Sequence, residues 1–145
     1  LIAAKQQGIV FDIGHGFGSF KWEIAQAAIE QGFIPNCIST DLHQMNLHGP
    51  VFDMPTTMSK FLQLGLSLES VIEMSTTEPA RVLNRAGDLG TLAPGTIADI
   101  TLLEKHDGEF DFTDSYDQTR TGSEKLTAVG IVRKGQLHLN SNRMV

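Results

Sequence analysis

The chain has 145 residues, 17 acidic against 11 basic, and a net charge of -6, enough for one domain or two small subdomains but short of the ~250 residues of a closed β/α barrel. With no Lys/Arg cluster, this charge disfavours a nucleic acid or an anionic membrane as partner and favours a small molecule. The single cysteine, Cys37, cannot close an internal disulfide; its apolar neighbours Ile34 and Ile38 predict a buried thiol in a reducing, cytoplasmic setting. No apolar run approaches the ~18 residues that span a bilayer.

In chain order, "LIAAKQQG" reads as the tail of a helix closed by Gly8, as if the chain began inside a larger protein. Residues 9–15, β-branched and aromatic between glycines, predict a buried strand with Ile9, Phe11, Ile13 and His15 on one face. Ser19 is the expected cap of the helix "FKWEIAQAAIEQ", with Ile24, Ala27, Ala28 and Gln31 at helical spacing and Gly32 as its stop. "FIPNCISTD" predicts a second strand ending at Asp41, its Cys37, Ser39 and Asp41 sharing a face. Strand, helix, strand implies two parallel strands joined by a right-handed crossover. His15 and Asp41 are then expected together beyond the carboxyl ends of neighbouring strands, where α/β folds place their chemistry.

Residues 42–55 form a polar loop of a length that is usually functional. Three short helices follow: "MSKFLQLG" capped by Thr56 or Thr57, Leu68 to Met74 after Ser67, and "TTEPARVLNRAG" with Pro79 in its first turn, ending near Gly87. From Gly90 the pattern changes to strands and tight turns, with Pro94-Gly95 before an apolar strand and a hairpin around Lys134-Gly135.

Gly14, Gly16 and Gly18 suggest a phosphate loop, but Ser19 stands at the third fingerprint position and no Gly-Lys-Ser/Thr follows, so a nucleotide-binding βαβ module is a weak reading. A tight turn explains the glycines and leaves His15 unexplained. A buried imidazole is either hydrogen-bonded in the core or part of a site, and its place at a strand end favours the site; Asp12, on the opposite face, reads as structural. Asp41 needs a cation or strong donors, which a metal would satisfy. His43 lies two residues on; no His-x-His pair exists, and His48, His106 and His138 are weaker candidates.

"FDIGHGFGSF", "ISTDLH", "GPVFDMPTTMSKFLQLG", "TTEPARVLN" and "GTLAPGTIADITLLE" together resemble the C-terminal part of the amidohydrolase superfamily, most closely its dihydroorotase-like amidohydrolase/deacetylase members. The resemblance implies an α/β fold that is the C-terminal fragment of a metal-dependent (β/α)8 barrel, with residues 9–15 and 37–41 as strands seven and eight, plus part of a β-sandwich. Residues 1–87 would be the barrel part and 88–145 the C-terminal half of the sandwich. It further implies that Asp41 contacts the metal and takes the proton from the attacking water, and that His15, Gly16 and His43 bind substrate. The cofactor implied is zinc, one or two ions, which lowers the pKa of bound water from ~15.7 toward ~7 and polarises the scissile carbonyl. The family's other metal ligands belong to strands one to six, upstream of Leu1, and a catalytic zinc usually needs about three protein ligands. The chain alone is therefore expected to be inactive and to hold no zinc, to need the missing N-terminal barrel segment, and to form a homo-oligomer. The substrate would be a cyclic amide, an N-acetyl group or an acyl ester. The competing reading is a non-catalytic assembly module of βαβ and hairpin type.

Overall fold

The structure, a computed structural model, describes residues 1–139. A short helix α1 (Ile2–Gln6) leads to strand β1 (Asp12–Gly14), helix α2 (Trp22–Glu30) and strand β2 (Cys37–Ser39). Three helices follow, α3 (Met54–Gln63), α4 (Leu68–Ser75) and α5 (Thr77–Val82), then the strands β3 (Ile100–Thr113), β4 (Thr119–Arg133) and β5 (Gln136–Leu139). β1 and β2 pair in parallel, Asp12 opposite Cys37 and Gly14 opposite Ser39, as the βαβ reading expects. The regular strands are shorter than the expected 9–15 and 37–41, although backbone hydrogen bonds between the two segments run on at both ends, from Cys37 N–H to Phe11 O and from Gly16 N–H to Thr40 O.

The helix termini show which local signals prevailed. Gly32, at φ 80°, ends α2, its N–H bonding to Ile29 O at 2.8 Å while that of Phe33 bonds to Ala28 O at 2.9 Å. Ser67 caps α4, accepting from the N–H of Ser70 at 3.2 Å. Two expected caps are corrected. α2 starts at Trp22 with Lys21 at its N-cap, not Ser19, because the Trp22 N–H is taken by the distant carboxylate of Asp114, at 3.0 Å. α3 starts at Met54, two residues before Thr56: Asp53 is its cap, accepting from the Thr56 N–H at 2.7 Å, and Pro55 lies in the first turn. Asp is a stronger cap than Thr, and proline at the helix start fills a position that needs no N–H.

β3, β4 and β5 form an antiparallel sheet in that order. The β4–β5 turn is the expected Lys134-Gly135, both residues left-handed at φ 49° and 78°, the geometry of a tight two-residue hairpin. The longer β3–β4 hairpin, whose turn spans 114–118, has no counterpart in the sequence reading. α3 lies against β4. Ser59 Oγ accepts from the Leu126 N–H at 2.9 Å and Gln63 Nε2 donates to Thr121 O at 3.0 Å. Gly122 permits this approach, since a Cβ there would come within 2.9 Å of Gln63 Oε1 and 3.0 Å of the Phe112 ring. One apolar cluster holds Phe20, Trp22, Ile38, Phe61, Phe112 and Leu126 together. It therefore crosses the boundary expected between residues 87 and 88.

Candidate active site

The backbone pairing of β1 and β2 continues past their last strand residues. His15 N–H donates to Ser39 O and Gly16 N–H to Thr40 O, each at 3.0 Å, and this zips the Gly-His-Gly loop against the segment that ends in Asp41. Gly16 sits at φ 54°, and a Cβ on it would lie 2.7 Å from Asp41 Oδ2. Only glycine lets the loop come this close to the carboxylate while holding a left-handed backbone. Asp41 is exposed and is itself left-handed at φ 47°, a conformation that a non-glycine residue keeps only where its surroundings enforce it.

Asn46 supplies that enforcement. Fully buried, it donates from Nδ2 to Asp41 O at 2.9 Å and accepts at Oδ1 from the His43 N–H at 2.8 Å. Its own carbonyl takes the N–H groups of Gly49 and Phe52 at 3.1 and 3.3 Å. No local pattern marks it, because its side chain bonds backward to His43 and Asp41 rather than forward as in an Asx turn. His43 is exposed beside Phe17, ring centroids 6.5 Å apart. Its Nδ1 accepts from the Met45 N–H at 3.2 Å, so a neutral ring carries its proton on Nε2.

The faces divide differently from the expectation that His15 and Asp41 end up together. A Cβ on Gly14 would lie 3.3 Å from Ser39 Oγ, 3.6 Å from Asp41 Cβ and 4.0 Å from Asp12 Oδ2, so Asp12 shares Asp41's side, and Ser39 Oγ donates to Asp12 Oδ2 at 2.5 Å. The His15 ring turns into the core instead. It is 1 % exposed, stacked on Phe20 with centroids 4.7 Å apart, with Nδ1 3.0 Å from Gly16 O and Nε2 2.6 Å from Lys60 Nζ. Burial, with the Lys60 charge beside it, pushes the His15 pKa down to about 4, so the ring is neutral at ordinary pH. With both nitrogens engaged internally, the imidazole offers none to a substrate in this arrangement.

Lys60 was not singled out in the sequence, where it reads as one surface-type residue of a short helix. It is fully buried, and its Nζ also donates to Pro50 O at 2.7 Å and Thr113 O at 2.6 Å. Burial pushes its pKa down to about 8.

Comparison with known proteins gives this geometry a family. The amidohydrolase family profile matches residues 21–137. The chain belongs to the amidohydrolase family. It is 44 % identical over 109 residues to a deacetylase of Brucella anthropi, covering 75 % of this chain and 27 % of that protein. A crystal structure of an adenine deaminase superposes with a TM-score of 0.91 at 36 % identity, covering 96 % of this chain and 38 % of that one. A dihydroorotase crystal structure superposes with a TM-score of 0.86 at 35 % identity, covering 97 % and 37 %. The chain thus spans roughly a quarter to two-fifths of the length of these relatives.

Against the metal that the amidohydrolase resemblance implies, the donor set is incomplete. Among the described residues no three His, Cys, Asp or Glu side chains come together to hold an ion, whereas catalytic zinc takes about three protein ligands. Asp41 can give one carboxylate; Asp12, on the same side, accepts from Ser39 Oγ. His48 is exposed in the loop, His106 bonds Thr127 Oγ1 at 2.9 Å within the antiparallel sheet, and His138 lies on exposed β5. Cys37 is buried, and burial raises its thiol pKa.

Proposed function

We propose that this chain is the C-terminal part of a metal-dependent amidohydrolase that hydrolyses an amide or ester, with β1 and β2 as the last two strands of a (β/α)8 barrel and β3 to β5 as part of its β-sandwich. The observation that carries the reading is Asp41: an exposed carboxylate at the carboxyl end of a parallel strand, left-handed, braced by Asn46 and met at close range by the glycine of a strand-end loop. Such a carboxylate is open to water on one side and rigid on the other. In this reading Asp41 is also the ligand the chain would give toward zinc, and the remaining ligands lie outside it.

Asp41 takes a proton from the attacking water and returns it to the leaving amine or alkoxide. Gly16 keeps the loop from crowding the carboxylate, and His43, with its proton on Nε2, donates to a substrate oxygen. The deacetylase relative and the dihydroorotase neighbour support an N-acetyl, acyl-ester or cyclic-amide substrate, and the buried thiol supports a cytoplasmic setting. The test is Asp41→Asn in the full-length enzyme, assayed on one substrate of each type. An amide cannot accept the proton, so turnover should fall about 10²- to 10⁴-fold; near-wild-type turnover on the substrate that the parent cleaves would remove Asp41 from the mechanism.

A further inference from the structure

Resting on this reading of Asp41, we infer that Lys60, His15 and the β3–β4 turn form a lock that positions the Gly14–Gly18 loop against the Asp41 carboxylate. An ammonium has three protons, and Lys60 directs all of its bonds to three separate segments: Pro50 O ahead of α3, Thr113 O at the end of β3, and His15 Nε2 at the end of β1. Because Nε2 accepts, the His15 proton is on Nδ1, aimed at Gly16 O. The lysine therefore sets the histidine, and the histidine sets the carbonyl of the glycine that touches Asp41.

The turn holds the same loop from the other side. Ser115 Oγ lies 3.2 Å from His15 O and 3.3 Å from Gly16 O. The Ser115 N–H donates to Phe20 O at 3.0 Å, and Tyr116 OH donates to Gly18 O at 3.2 Å. Asp114 accepts the Trp22 N–H through Oδ2, while its Oδ1 takes the N–H groups of Tyr116 and Gln118 and so shapes the turn. Trp22 Nε1 donates to Gln118 O at 3.0 Å. With its carbonyls drawn inward, the loop presents the Cα of Gly16 to Asp41. The sandwich hairpin thereby reaches a residue of the barrel edge that it does not itself touch.

The experiment uses the full-length, metal-loaded enzyme with Lys60→Met, Ser115→Ala, His15→Leu and His15→Gln, and Asp41→Asn as reference. Readouts are kcat and KM, metal content and melting temperature. Misplacement of about 1 Å at a reacting group slows turnover by about 10², so Lys60→Met and His15→Leu should lose about that much kcat. Ser115→Ala should lose about tenfold in kcat, with KM and metal content held. His15→Gln, which can still accept from Lys60, should recover most of the loss. A purely structural lock would lower the melting temperature and leave kcat unchanged in Ser115→Ala; that result, with Asp41→Asn inactive, overturns this inference alone. An active Asp41→Asn overturns the hydrolytic reading and this one with it. Should Lys60→Met fail to fold, Ser115→Ala and the two His15 variants decide by the same criteria.

Discussion

At Lys60 three acceptors converge on one buried ammonium, and His15 is the acceptor that titrates. In an unfolded chain the imidazole takes its proton near the model value of 6.5, whereas in the fold it does so only at about 4. Burial and the Lys60 charge hold it neutral, opposed weakly by the Asp114 carboxylate and by the carbonyls of Gly16 and His15 itself. The depressed value means that the unfolded state binds more protons between these limits. Stability from His15 is thus fully present above about pH 6.5 and is lost as pH falls through about 4, a change on the order of 3 kcal/mol. Melting curves of the chain from about pH 7 to about pH 4 should show this acid limb, and His15→Gln should flatten it; parallel acid limbs in the two proteins would assign the loss to other groups.

At the scale of the element, α3 carries the organisation. Thr57, Met58, Phe61 and Leu62 are buried, while Ser59, Lys60 and Gln63 each make a polar contact to a strand or strand end, so one helix serves at once as core and as cross-link. Its start depends on Asp53, because the first-turn N–H groups have no helical partner. Asp53→Ala should destabilise the chain by about 1 kcal/mol, and Thr56→Ala, whose hydroxyl caps nothing, by a few tenths at most. Denaturant midpoints measured side by side check the order; a larger loss for Thr56→Ala would move the cap to where the local pattern first suggested it.

For the whole molecule, the consequence of two short parallel strands is open edges. Among the described residues β1 pairs with β2 alone, so each keeps an outer row of backbone groups, and a two-stranded sheet rarely stands by itself. Apolar side chains sit nearby without cover. Ile24 is 68 % exposed, and Ile9, Val10 and Ile34 are also exposed. Leu1, Ile2, Ile24, Ala28 and Phe33 line an open groove between α1 and α2. The chain purified alone should therefore associate, with an apparent mass by light scattering that rises with concentration, and should carry no stoichiometric zinc by mass spectrometry. A concentration-independent monomer with one zinc per chain would mean that its own side chains complete a metal site.

Chain order and turn chemistry were legible in the sequence: the parallel strand, helix, strand unit, the Gly32 stop, the Ser67 cap, the Lys134-Gly135 turn and the strand-end position of Asp41 all follow from propensities within a few residues. What only the tertiary structure decided is the fate of polar groups whose partners lie far along the chain. Asp114 caps a helix that begins 92 residues earlier. Lys60 finds His15 across 45 residues, and the β3–β4 turn seals a loop about 100 residues away. No local pattern encodes these pairs, because a buried donor or acceptor takes whatever complementary group the packed core brings within reach. For the same reason His15, placed by periodicity on a face that could serve either site or core, was claimed by the core once Lys60 lay opposite it.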